Sequence, residues 1–425
     1  MRDAQIVVGV DIGSSKIATL IGKVEEETIN ILGVSEIPSK GIRKGQIVDI
    51  EEAAQSINAA LDASERMAGY SISRVFVSVS GVHIESQNSK GIVAISEPQG
   101  EISESDVTRV LEAAGAVSMP STATIIHVLP KTFTVDGEGG IKDPIGMTGV
   151  RLEVDTHIIT ANTTSIRNIE RVFEQEAGVG MNALIFSGFA SSLAVLTDTE
   201  KELGVVIADI GAGITNICVF VDGALSYSSV IPIGARHITN DLAIGLRISL
   251  ESAEKIKLYL SNKYGKKSQG GEEEVGDEID LAELHLSEDL KKVSKKTLID
   301  GIIKPRLNEL FTMIGIELKK SGFATQTPAG LVVTGGGART VGAQESAKRM
   351  LSMPVRIGTP SHLTGLIDDV ENPSFSTAVG LLTYGRNFSV KESGSMLEGM
   401  FSMLPGGKGG SMTGKVKKML KNFIP

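Results

Sequence analysis

Apolar residues in this chain come in short unbroken runs that end on a carboxylate and a glycine. Val7-Val8-Gly9-Val10 leads into Asp11-Ile12-Gly13, and 198 positions later Val205-Val206-Ile207-Ala208 leads into Asp209-Ile210-Gly211, with five of the seven positions identical. Runs this short fit strands buried on both faces. Small-residue turns follow, then second apolar runs over residues 17–21 and 214–221, so each segment predicts a β-hairpin with a tight turn. Helical periodicity appears over 51–67 and 235–246, on matching sides of the repeat. The order implies two related α/β halves facing each other.

Other segments attach to this frame. A strand over 183–186 precedes a helix over 190–196; the uncharged stretch around them, 177–197, is divided by Gly178, Gly180, Asn182, Ser187, Gly188, Ser191 and Ser192, which disfavours a membrane span. A Ser-, Gly- and Pro-rich stretch between Gly81 and Asp155, with a helix over 105–116 and strands near 125–135, reads as an inserted α+β unit. Residues 249–323 are mostly helical in pattern, broken by a polar loop near 265–274, and 391–411 read as a flexible linker.

Composition narrows the function. Among 425 residues, 41% are apolar, enough for several cores. The charge sum of 42 − 51 = −9 gives no electrostatic ground for nucleic acid as a partner. One cysteine, Cys218, forms no internal disulfide, and six scattered histidines show no metal-ligand spacing, so a reducing compartment is expected. The five-residue apolar run before Asp11 lacks the features of a signal peptide.

Candidate chemistry lies in the repeat. A turn of small residues leaves successive backbone N–H groups free to cradle an anion, which suits Gly13-Ser14-Ser15-Lys16 and Gly211-Ala212-Gly213. Asp11 and Asp209, just before these turns, would meet at one point and suit hydrated Mg²⁺. A third cluster, Gly335-Gly336-Gly337-Ala338, lies between an apolar strand and a helix over 340–351, where a ligand can approach backbone. Its spacing matches neither a Walker A loop nor a dinucleotide-binding fingerprint.

The C-terminal stretch has a different character. Met412, Val416, Met419, Leu420, Phe423 and Ile424 share one helical face, and Lys415, Lys417, Lys418 and Lys421 carry four positive charges with no acidic residue beside them. Thirteen residues make a helix of ~20 Å, short of the ~30 Å hydrocarbon layer. The pattern predicts an amphipathic helix on an anionic lipid surface.

Together the three glycine-bearing segments resemble the phosphate 1, phosphate 2 and adenosine motifs of the actin-like ATPase superfamily. Within it, Gly81-Val82-His83-Ile84-Glu85-Ser86-Gln87-Asn88-Ser89-Lys90-Gly91, His127-Val128-Leu129-Pro130, Asp143-Pro144-Ile145-Gly146-Met147, Gly149-Val150-Arg151-Leu152-Glu153-Val154 and Leu184-Ile185-Phe186-Ser187-Gly188-Phe189-Ala190-Ser191-Ser192 resemble the bacterial cell-division family FtsA.

The resemblance implies an actin-like fold with an inserted α+β subdomain. Its first half would comprise 1–81, 161–203 and 366–390, the insert 82–160, the second half 204–234 and 329–365, and a helix-rich subdomain 235–328; the linker 391–411 and the membrane helix 412–425 would follow. ATP and Mg²⁺ are the implied cofactors. Asp11 and Asp209 would hold the metal; Gly13, Ser14, Ser15, Lys16, Gly211, Ala212, Gly213 and Thr215 would surround the phosphates. Glu254 and Lys257 would touch ribose and adenine, with a solvated helix face as the plain alternative, and Gly335, Gly336, Gly337 and Ala338 would pass under the adenosine.

The implied partners are the C-terminal peptide of FtsZ, bound through 235–328, further copies of the chain head to tail, anionic lipids, and other divisome proteins through 82–160. The implied place is the cytoplasmic face of the inner membrane at the division site. Two departures stand out. Ile214 occupies the place after the second glycine where relatives carry Thr, with Thr215 following, and Ser187-Gly188-Phe189 offers no Glu or Gln to orient an attacking water. No catalytic residue is assigned and slow ATP hydrolysis is expected. A PilM-like peptide-binding ATPase and a small-molecule kinase of the same superfamily are the alternatives.

Overall fold

A computed structural model describes residues 5–25, 28–96, 100–265, 277–366 and 370–394, with side chains to 387. Both hairpins form, and in the same register. In the first, Ile6–Ile12 pairs antiparallel with Lys16–Glu25, Asp11 standing opposite Ala18. In the second, Val205–Ile210 pairs with Thr215–Val221, Asp209 standing opposite Asn216. Each turn closes alike, with Gly13 N–H donating to Lys16 O at 3.1 Å and Gly211 N–H to Ile214 O at 2.9 Å.

Each hairpin seeds a sheet of matching order. The first sheet runs Gly180–Phe186, Arg74–Val79, Ile6–Ile12, Lys16–Glu25, Thr28–Pro38, Leu363–Gly365. The second runs Val355–Ile357, Leu331–Thr334, Val205–Ile210, Thr215–Val221, Ala224–Ile231. In both, the carboxylate-bearing strand lies between a parallel neighbour and its hairpin partner. Nearly every side chain on these central strands is buried, which explains why they read as unbroken apolar runs.

Helix Ile50–Ala68 packs on the first sheet, started by the Asp49 side chain accepting from Glu52 N–H and ended by Gly69 in the left-handed conformation at φ 63°. The insert is a four-stranded antiparallel sheet, ordered Glu85–Ala94, Arg151–Asn162, Ala123–Val135, Glu138–Ile141, with helix Glu104–Gly115 across it and its own core around Val110, Leu111, Phe133, Leu152 and Ile158. It meets the second half at His157, whose Nδ1 bonds Asn88 at 2.8 Å and whose Nε2 bonds Ser228 at 3.0 Å. Burial lowers the pKa of this ring to about 3.

Four details differ from the sequence expectation. The helix after the third glycine cluster starts at Ala343, because Gly336–Arg339 takes a tighter 3-10 turn and Gly342 is left-handed. The helix expected over 190–196 spans Ser187–Val195, where burial on all sides overrides the weak helix preference of Ser and Gly. Residues 249–323 also hold a small ribbon, Glu278–Asp280 with Lys292–Ser294. The last helix, Ser376–Gly394, extends four residues into the expected linker, since no Pro or Gly interrupts it between Arg386 and Ser393. The rest of that linker and residues 412–425 lie outside the described residues.

That last helix crosses helix Ser187–Val195 at Gly380, where a Cβ would run into the Ala190 carbonyl. Gly380→Ala should therefore cost about 2–3 kcal/mol by overpacking, whereas Gly69→Ala, which meets nothing within 4 Å, should cost only about 1 kcal/mol of left-handed strain. Urea denaturation of both variants checks this ordering.

Candidate functional site

Asp11 and Asp209 come from different halves and line one cavity of about 100 Å³, together with Gly13, Ser14, Gly211, Gly213 and Gly335. A larger cleft of about 680 Å³ adjoins it, sharing Ser15, Lys16, Ala212, Gly336 and Ser374 and extending to Glu254, Lys257 and Arg339. Its size falls within the usual ~300–1,000 Å³ of small-molecule sites.

The two carboxylates are held differently. The Ser78 hydroxyl donates to Asp11 Oδ1 at 2.7 Å and accepts from Ile12 N–H at 3.0 Å. Burial raises the Asp11 pKa to about 6; the Ser78 bond opposes the rise and the charge of Asp209 adds to it. Asp209 Oδ2 accepts from Ser191 Oγ at 2.9 Å, Thr377 Oγ1 at 3.2 Å and Asn216 Nδ2 at 3.3 Å. Burial raises its pKa as well, against those three donors. Asn216 also accepts from the Ser80 hydroxyl, joining the two halves beneath the cavity.

The turns meet above the carboxylates. A Cβ on Gly213 would stand 3.2 Å from Ser14 Oγ, and Ser14 Oγ in turn accepts from Gly45 N–H at 3.0 Å. Gly335, at φ 81°, passes so close beneath Asp209 that any side chain would strike Oδ1. Gly336 faces open space, its Cβ position meeting only Ser374 at 3.8 Å.

At the wide end, Lys257 is buried yet lines the cleft. Its Nζ donates to Glu254 Oε2 at 2.7 Å and to Thr239 Oγ1 at 2.9 Å, and Thr239 donates to Glu254 at 2.6 Å. Both line the cleft, Lys257 buried and Glu254 with 44% of its side chain exposed. Lys16 reaches Glu36 at 2.7 Å and Ser374 at 3.1 Å and lies 3.9 Å over the Phe375 ring.

The structure thus places Asp11, Gly13, Ser14, Ser15, Lys16, Asp209, Gly211, Ala212, Gly213, Glu254, Lys257, Gly335, Gly336 and Gly337 on the walls of one continuous cleft. Two expected residues stand apart. Thr215 turns away and donates to the Ile233 carbonyl at 2.7 Å, because its strand position faces the second-half core. Ala338 is buried in that same core. Ser78, Ser191, Asn216, Thr239, Ser374 and Thr377 were missing from the sequence expectation. Aligning the two hairpins position by position sets Asn216 against Ala18, a polar residue among apolar ones and the available signal for one of them.

Two family models match the chain: "SHS2 domain inserted in FTSA" over residues 81–160 and "Cell division protein FtsA" over 206–380. A cell division protein FtsA of Pseudomonas aeruginosa is 39% identical over 390 residues, 91% of this chain and 90% of that one. Its namesake in Bacillus subtilis is 37% identical over 90% of this chain and 84% of its own. The chain belongs to the FtsA family.

Solved structures place the FtsA-family chain among actin-like folds. The PilM-PilN type IV pilus biogenesis complex matches with TM-score 0.61 at 17% identity, covering 89% of this chain and 98% of that one. MreB5 of Spiroplasma citri bound to ADP matches with TM-score 0.54 at 12% identity, covering 92% and 99%. Among the described residues no helix is long and apolar enough to cross a membrane, and no group of three or more His, Cys, Asp or Glu is placed to hold a metal. Any cation between Asp11 and Asp209 therefore meets two carboxylates, an oxygen-only set that suits Mg²⁺ completed by water and phosphate. A half-buried Asp11 and a buried Asp209, both of raised pKa and lining one cavity, fit such an ion, and the open backbone at Gly336 fits a ligand passing close by.

A carboxylate whose pKa is raised on folding favours the folded state below its unfolded value, near 3.8, and loses that contribution as pH rises through about 6. Without ligand, Asp11→Asn should accordingly stabilise the protein at pH 8 by up to about 3 kcal/mol, and most of the gain should be lost by pH 4. Thermal melts across that range measure it.

Proposed function

We propose that this FtsA-family chain binds Mg-ATP between its two halves, assembles head to tail, and tethers the FtsZ polymer to the cytoplasmic face of the inner membrane at the division site. The observation that carries the reading is the meeting of Asp11 and Asp209 in one cavity beneath two open glycine turns, in a chain 36–39% identical over about 90% of its length to cell division proteins of this family. The ADP named with the MreB5 neighbour is consistent with it.

In this reading Asp11 and Asp209 would hold the cation through oxygen, and the backbone N–H groups of 14–16 and 212–213 would serve the phosphates, those of Gly13 and Gly211 being taken up in closing the turns. Bound ATP would supply the phosphoanhydride, and Mg²⁺ the positive charge that offsets the two carboxylates. Arg236 and Arg339 add positive charge to the wall, while Glu254, Lys257 and Thr239 offer donors and acceptors for sugar hydroxyls. Hydrolysis is slow because helix Ser187–Val195 opens without a carboxylate or carboxamide, and the Ser187 hydroxyl is committed to Val79 O at 3.3 Å.

Partners follow the same division of labour: the FtsZ tail on 235–328, other division proteins on 82–160, lipid on 412–425. A helix with a few half-buried apolar groups at ~1 kcal/mol each and about 1 kcal/mol per lysine binds lipid weakly by itself. Copies aligned on a polymer raise the effective concentration and make the attachment firm. A PilM-like role rests on the 17% identical fold match alone.

Co-sedimentation with anionic liposomes, ATP and an FtsZ tail peptide tests the whole. The full chain should pellet with lipid and carry the peptide down, and removal of 412–425 should abolish pelleting while ATP affinity stays within about twofold. Unchanged pelleting of the shortened chain would refute the tether, and absence of ATP uptake would refute the cleft assignment.

A further inference from the structure

Residues 373–377, which run from a short turn into the first turn of the last helix, touch the site at several points. Pro373 O accepts from Gly335 N–H at 3.1 Å, and Ser374 and Phe375 hold Lys16, by a 3.1 Å hydrogen bond and from beneath at 3.9 Å. Ser376 Oγ meets Thr334 Oγ1 at 2.6 Å. Thr377 Oγ1 donates to Asp209 at 3.2 Å and stands 2.9 Å from Ser191 Oγ, which also donates to that carboxylate oxygen. Asn372 fixes the start of the turn by accepting from Ser374 N–H at 3.1 Å.

We propose that Thr377 is a positioning residue for the Asp209 carboxylate, and that through it the charge state of the site reaches the helix from which the C-terminal extension continues. The proposal rests on the reading of Asp209 as a cation-facing group. Each hydroxyl has one proton to give. When Asp209 carries its full charge, Ser191 and Thr377 both donate to it; when a cation takes up part of that charge, Thr377, whose bond is the longer at 3.2 Å against 2.9 Å, can turn its proton to Ser191 Oγ, 2.9 Å away. The bond that changes lies in the first turn of Ser376–Gly394, and Thr377 is buried, so water offers no substitute partner.

Valine keeps the shape of Thr377 and removes the hydroxyl, while serine keeps the hydroxyl. The experiment uses the full chain and three readouts: ATP affinity with Mg²⁺, ATP affinity with EDTA, and amide exchange over 376–387 with and without Mg-ATP. Thr377→Val should lose about tenfold in affinity with Mg²⁺, the order expected for one hydrogen bond to a charged group, and little in EDTA. Thr377→Ser should restore it. Mg-ATP should slow exchange over 376–387 in the natural chain and in Thr377→Ser, and leave it unchanged in Thr377→Val.

Equal losses with Mg²⁺ and with EDTA would mean a merely structural role and overturn the proposal. So would a Thr377→Val protein whose affinities and exchange respond to Mg²⁺ like those of the natural chain. A natural chain that binds no ATP, or binds it without regard to Mg²⁺, would instead defeat the reading of the cleft on which the proposal stands.

Discussion

Two carboxylates held in one small buried cavity repel each other, and the architecture of both halves keeps them there. Each sits at the end of a central strand fixed on both sides, so neither can swing away without breaking its sheet. Burial penalises both charges, and the charge of Asp209 adds to the penalty at Asp11. Donors oppose it: Ser78 for Asp11, and Ser191, Asn216 and Thr377 for Asp209. The remaining imbalance is what a divalent cation would relieve, which makes the geometry more telling than either Asp-Ile-Gly segment alone.

The two halves match in backbone register and differ in the side chains around it. On the parallel neighbour of the first half Ser78 bonds Asp11; at the matching place in the second half Thr334 lies beside Asp209 and instead bonds Gly358 O at 2.9 Å and Ser376. Across the hairpins, Ala18 faces Asp11 where Asn216 faces Asp209. Asp11 is consequently the less supported and more accessible of the pair, with a pKa near 6, while Asp209 is enclosed by donors from three elements.

The frame was legible because buried strands and amphipathic helices leave strong periodicities, and because one motif occurs twice. Asp11, Asp209 and the glycine turns could be named because the same short motif occurs twice in the chain, whereas a single Asp-x-Gly turn is common. Ser78, Ser191 and Thr377 could not, because a buried hydroxyl looks in sequence like any core Ser or Thr until its partner is known. The same limit explains Thr215, whose hydroxyl serves a carbonyl of its own half, and Ala338, which fills the core beside the glycines instead of lining the cleft. Helix boundaries moved where burial overrode local preference, as at Ser187, or where a left-handed glycine delayed the helix, as at Gly342.

The last helix links the two halves. It leaves the second half at Thr377 but packs on the first, with Gly380 against Ala190, Leu381 against Gly9, and Gly385 against Val7 and Phe76. Such close backbone contacts leave no room for sliding, so the body of the helix belongs mechanically to the first half. Its opening residues belong to the second, through Gly335, Thr334 and Asp209. Any closing of one half on the other must then be absorbed where the two allegiances meet, over 372–377. A 3-10 turn ending in a helix is suited to that, because its few hydrogen bonds can be exchanged without disturbing either core.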